Sequence, residues 1–172
     1  PGVRGVCGGV LSLLPGCKVY PFATASLRRL SNTRDILERV ERETGFKIDV
    51  ITGREEAILD YRGAVGRMQE RSGVLVDIGG GSTELVFFRS REVIAARSLP
   101  LGPLSLFNPF VSGVIPAKQE LRDMRAEAVK VIHPALPPQG AYVREPFCAV
   151  GRTAREQHTP FHAPGRRHAA TP

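Results

Sequence analysis

The sequence predicts an α/β fold. Three observations carry that expectation: short β-branched and aromatic runs at 19–23, 46–51, 73–78 and 85–88, helical apolar spacing in the segments beside them, and glycine or proline at the junctions. Strand-like and helix-like stretches in alternation are the pattern of sheets covered by helices.

In chain order, Lys18 to Ala23 reads as a strand followed by a polar turn at Ser26 to Arg29. Asn32 or Thr33 caps a helix over Arg34 to Thr44, with Ile36, Leu37 and Val40 on one face and Gly45 at its stop. Phe46 to Ile51 alternates as a strand, Thr52 and Gly53 punctuate it, and Arg54 to Met68 returns to helical spacing. Gly73 to Ile78 and Leu85 to Phe88 are two apolar β runs joined by a glycine turn, hence a hairpin, and Val93 to Ala96 adds another strand. Leu101 to Val114, rich in Gly, Pro and Asn, reads as a linker with one short helix and places a domain boundary near residue 103. Pro116 opens a helix reaching Ile132, with Leu121, Met124, Ala128 and Val131 or Ile132 inward and Pro134 as its stop. Beyond Arg144 the pattern fails, and the Arg-, His- and Pro-rich stretch 153–172 is expected to be disordered.

Composition narrows the class. A chain of 172 residues, 42% hydrophobic and 24% charged, holds one domain with a real core and falls short of the two-domain clefts that usually handle nucleotides. The apolar stretch Gly5 to Leu14 is interrupted by glycines and far below the roughly 20 residues of a membrane span. No signal peptide is expected, because the chain opens on Pro1 with no small-residue cleavage site. Three cysteines without a CxxC pair argue against a disulfide framework or zinc ribbon and point to a reducing cytoplasm. Of the net charge of +7, residues 1–20 and 144–172 carry +5, so the basic balance belongs to the ends. Such ends are solvated or touch polyanions loosely; specific nucleic-acid binding is not expected. His158 and His162 have helical metal-ligand spacing, but Pro160 between them breaks the helix it needs.

Chemistry concentrates in Asp77, Gly79, Gly80, Gly81, Ser82, Thr83 and Glu84, an acid at a strand end, a triglycine turn, two hydroxyls and a second acid. Glycines let backbone N–H groups approach an anion and adopt positive φ, forming a nest for phosphate, to which the hydroxyls of Ser82 and Thr83 add donors. Asp77, with Glu84, is placed to hold Mg²⁺ as it bridges phosphate oxygen. The bland alternative is a glycine hairpin with solvated acids. A dinucleotide fingerprint is excluded because the third glycine position is Glu84 and a strand follows, and no Gly-Lys-Ser or Gly-Lys-Thr of a Walker loop occurs.

The segment Asp77 to Leu85, DIGGGSTEL, resembles the second phosphate loop of the exopolyphosphatase and guanosine pentaphosphate phosphohydrolase family, in the superfamily of actin, sugar kinases and heat-shock chaperones. Phe22 to Arg28, FATASLR, is similar to the family's strand and turn, which implies a substrate-binding Arg28. Ile51 to Tyr61, ITGREEAILDY, is similar to the segment whose Glu before Ala is the catalytic base, which implies Glu56. Ser98 to Gly102, SLPLG, and the helix from Pro116 also resemble the family, so the likeness spans about 18–132. Read by itself, Glu56 is one of two acids in the first turn of a helix after a strand, where cleft residues and plain macrodipole partners both occur.

The resemblance implies an incomplete ribonuclease H-like domain of the actin-like ATPase superfamily, with the start of a second α/β domain. The expected division is an unmatched segment 1–17, the first domain over 18–103, the second over 104–152, and the tail. It further implies Mg²⁺ or another divalent cation, polyphosphate or guanosine pentaphosphate as substrate, a possible homodimer when complete, and cytoplasmic hydrolysis of phosphoanhydrides without membrane attachment. Two departures stand out. The family's first phosphate loop, of the form Asp-Ile-Gly-Ser-Asn-Ser, has no counterpart in 1–17, and Arg152 replaces one of the paired glycines in VGRTA, 150–154. Truncation at both ends is therefore expected. A phosphotransferase of the same superfamily and an inactive polyphosphate-binding fragment are the rival readings.

Overall fold

A computed structural model describes residues 16–137 and 145–150. The tail, residues 151–154 of the expected glycine loop, His158, His162 and most of 1–17 lie outside the described residues.

The chain is mixed α/β. In order it forms β1 (Phe22–Ala23), α1 (Ala25–Arg28), α2 (Thr33–Thr44), β2 (Asp49–Val50), α3 (Gly53–Val65), β3 (Gly73–Ile78), β4 (Thr83–Arg89) and β5 (Glu92–Leu99). Then come α4 (Pro103–Phe110), α5 (Lys118–Ile132), a 3₁₀ turn (His133–Ala135) and β6 (Phe147–Val150). Strands β1 and β2 pair in parallel as a small sheet, and the main sheet has the order β5-β4-β3-β6.

Local chemistry sets the boundaries. Gly45 closes α2 in the left-handed conformation (φ 77°), the role expected of it. At the start of α3 the Thr52 hydroxyl accepts from the Glu55 N–H, and the Glu55 carboxylate accepts from the Thr52 N–H at 2.7 Å, a complete capping box. The β4–β5 turn places Ser90 (φ 52°) and Arg91 (φ 64°) both in the left-handed region, the type I′ geometry that matches strand twist.

Side chains alternate across the main sheet. Val76, Leu85, Phe87 and Leu99 face α4 and α5, packing with Leu106, Ala128, Val131 and Ile132. Leu75, Val86 and Phe88 face α3 and meet Ala57 and Tyr61. The Tyr61 and Phe88 rings lie 5.1 Å apart. Leu75, Val86 and Phe88 are fully buried, each contributing about 1.5–3 kcal/mol.

Several expectations are corrected. The strands at 18–23 and 46–51 shrink to two residues each, because only Phe22–Ala23 and Asp49–Val50 find ladder partners. The turn at Ser26 is a helical turn, α1. Leu121 is 51% exposed rather than inward, and α5 starts at Lys118 after Ala117. Residues 147–150 are a strand, paired in parallel with β3 through Val74↔Phe147 to Asp77↔Val150. The boundary expected near residue 103 thus lies between strands of one sheet, with β3, β4 and β5 before it and β6 after it.

Candidate active site

The β3–β4 hairpin pairs Asp77 with Glu84 and Ile78 with Thr83, leaving Gly79 to Ser82 as its loop. Alternation puts Asp77 and Glu84 on the same face as Leu75 and Val86, toward α3. The loop is closed by the Gly79 N–H donating to the Ser82 carbonyl at 2.9 Å.

Left-handed backbone is not what its glycines supply. None of Gly79, Gly80 and Gly81 has positive φ, so the expected left-handed nest does not form in this conformation. Gly80 lies against Leu104 of α4, whose N–H donates to the Gly80 carbonyl at 2.9 Å. A Cβ on Gly102 would stand 2.5 Å from the Gly80 oxygen. The loop therefore rests on the start of α4, the segment read from sequence as linker. At Gly81 a Cβ would meet nothing within 4 Å, so that side is open.

Ser82, Thr83 and Glu84 are all buried. The Thr83 hydroxyl, expected as a phosphate donor, donates instead to the Leu101 carbonyl at 2.6 Å and ties β4 to the chain entering α4. Glu84 accepts from the Ser98 hydroxyl at 2.7 Å. Burial pushes the Glu84 carboxyl above its ordinary range; the hydrogen bonds from Ser98 and Ser82 oppose that, and the charges of Glu56 and Asp77 add to it.

Helix α3 separates the two acids of its first turn. Glu55 is exposed and committed to the cap, whose hydrogen bonds from Thr52 hold its carboxyl below the usual range. Glu56 turns inward, where Arg28 donates to its Oε2 at 3.0 Å while also donating to the Ile51 carbonyl at 2.8 Å. Close approach of α3 to β5 depends on Gly53, where a Cβ would lie 2.4 Å from the Ser98 Cβ.

Three residues at this site escaped the sequence reading. Asp60 sits one turn after Glu56, and its carboxyl is pushed up to about 7 by burial first, then by Asp77, Glu84 and Glu56. The i, i+4 spacing of Glu56 and Asp60 was the available signal. With Asp77, Gly63, Arg67, Met68 and Val150 it lines a cavity of about 580 Å³ between α3, β3 and β6. Ser98 gave no signal beyond its place in SLPLG. Arg29, next to Arg28, donates to the Gly81 carbonyl at 2.8 Å, a contact across 52 positions that local pattern cannot reveal.

The sequence pattern described as the Ppx/GppA phosphatase family matches residues 10–154. Exopolyphosphatase 2 of Mycobacterium tuberculosis is 35% identical over 127 residues, 69% of this chain and 39% of that protein. An uncharacterized protein of Streptomyces coelicolor is 42% identical over 94 residues, 54% of this chain and 28% of that one. The crystal structure of the Aquifex aeolicus Ppx/GppA family member superposes with a TM-score of 0.67 at 27% identity, covering 94% of this chain and 53% of that one. The chain thus spans about half or less of the proteins it matches. Glu56, Asp60 and the β3–β4 hairpin lie inside the matched region, and the chain belongs to the Ppx/GppA phosphatase family.

Proposed function

We propose that the complete protein hydrolyses terminal phosphoanhydride bonds of inorganic polyphosphate or guanosine pentaphosphate, and that this chain carries half of the machinery. The observation that supports it best is the convergence on one face of Glu56 from α3 with Asp77, Glu84 and the Gly79–Ser82 loop from the hairpin.

Glu56 acts as general base. It accepts the proton of a water whose oxygen forms a bond to the terminal phosphorus, while the bond to the bridging oxygen breaks and the shortened chain leaves. Arg28 fixes Glu56 and presents positive charge where charge builds on the phosphoryl oxygens. The loop N–H groups offer donors to the same group, while Thr83 holds the loop from below and the Ser82 hydroxyl, expected as a further donor, bonds Glu84 instead.

The carboxylates suit a divalent cation. Asp77 and Glu84 face each other across the hairpin and Asp60 faces both, and the crowding that raises Asp60 and Glu84 is relieved by a cation. Asp77 and Glu84 would hold Mg²⁺, an ion that takes one or two carboxylates and completes its shell with water and phosphate. When bound, the ion would neutralise phosphate charge and polarise the phosphorus.

Pairing of two copies belongs to the same proposal for the complete protein. The test is phosphate release from long-chain polyphosphate and from guanosine pentaphosphate, with and without Mg²⁺, by wild type and by Glu56→Gln in a full-length version. Glu56→Gln is expected to bind polyphosphate and lose about 10²-fold or more of turnover; unchanged release would remove Glu56 as the base. ATP-dependent phosphorylation of an added acceptor would instead identify a phosphotransferase.

A further inference from the structure

Two consecutive arginines leave α1 in different directions. Both Nη atoms of Arg28 are engaged, one by the Ile51 carbonyl and one by Glu56. Arg29 is exposed and reaches the hairpin loop, where one Nη donates to the Gly81 carbonyl at 2.8 Å. A guanidinium has five N–H donors in a planar fork, and among the described residues the Gly81 carbonyl is the partner that Arg29 holds. A Cβ built on Gly81 would meet nothing within 4 Å, whereas one on Gly80 would meet the Leu104 side chain of α4.

Charge around the loop is divided in the same way. Glu56, Asp60, Asp77 and Glu84 lie on the α3 face and influence one another, so this inner side is strongly negative. Beyond the phosphate oxygens that a bound cation would neutralise, a chain of phosphates is repelled by these carboxylates. Its route out passes the open Gly81 side, where Arg29 stands with donors to spare.

We infer that Arg29 binds the phosphoryl group next to the one held at the loop, so that it recognises a polyphosphate chain rather than a single phosphate. The inference rests on the polyphosphate reading of the loop. An arginine fork bridging a backbone carbonyl and a phosphate oxygen uses separate N–H groups for each, so the Gly81 contact orients the side chain without consuming it.

The test titrates the 172-residue chain with orthophosphate and with tripolyphosphate in the presence of Mg²⁺, by calorimetry, for wild type, Arg29→Ala and Arg29→Lys. Arg29→Ala is expected to weaken tripolyphosphate about tenfold and orthophosphate by less than about twofold, one charge-assisted hydrogen bond lost to the longer ligand alone. Arg29→Lys should recover part of the tripolyphosphate affinity, since charge returns without the fork. Arg29 is exposed, so melting curves of the variants should match wild type. Equal weakening of both ligands would show that Arg29 only holds the loop, and no weakening of either would show that it does neither; each result overturns the inference while leaving the polyphosphate reading intact. Wild type that binds neither ligand overturns that reading for this chain, and the role of Arg29 with it.

Discussion

Arg28 and Glu56 meet in a 3.0 Å ion pair, with their side chains 24% and 15% exposed. The pair joins α1 to α3 and brings a cation to the edge of a carboxylate cluster. Arg28→Ala leaves Glu56 beside Glu84 and Asp60 without that cation, and is expected to destabilise the chain by about 1–3 kcal/mol. Adding Glu56→Gln removes the stranded charge and should return part of the loss. A double-mutant cycle by urea denaturation measures the coupling; additive costs would mean that the pair does not form in solution.

Asp60 gives the molecule a pH dependence of defined sign. Its carboxyl, ordinarily near 3.8, is raised to about 7, so the folded chain binds a proton there that the unfolded chain releases at lower pH. Stability at this residue is full below the unfolded value and falls as pH rises from about 4 to about 7. Asp60→Asn should flatten that fall, leaving the variant more stable than wild type at pH 8 and little changed at pH 4. Thermal melts across that range check it, and parallel profiles for the two proteins would place the dependence on another group.

Legibility from sequence followed the range of the contacts. The β3–loop–β4 hairpin and α2 were readable because their signals are local: apolar β runs around glycines, and Gly45 at the stop. The strand β6 was not, because four residues, FCAV, become a strand only by pairing with β3 some 70 positions earlier. Gly102 and Pro103 read as linker, yet their neighbourhood supports the loop through Leu104. At the site, residue type and order singled out Asp77 and Glu84, while Glu56 stood out from Glu55 only through the family resemblance. What type and order left hidden was the arrangement: Glu55 spent on a cap, Thr83 turned to Leu101, Ser98 bonded to Glu84, and Arg29 at Gly81.

The glycines around the loop separate two physical roles that sequence alone merges. Gly102 has extended backbone, φ −164° and ψ 169°, which any residue adopts, so its requirement is space. Alanine there would put Cβ 2.5 Å from the Gly80 oxygen and 2.7 Å from the Gly79 oxygen, both backbone atoms that move only with the loop. Gly102→Ala is therefore expected to cost about 1–3 kcal/mol by overpacking and to weaken the Leu104 to Gly80 hydrogen bond. Gly81→Ala enters open space without a positive φ and should cost less than about 1 kcal/mol. Urea midpoints of the two variants decide between the roles. A large loss at Gly81 with little at Gly102 would mean that the loop needs left-handed glycine in solution, and that support from α4 is secondary.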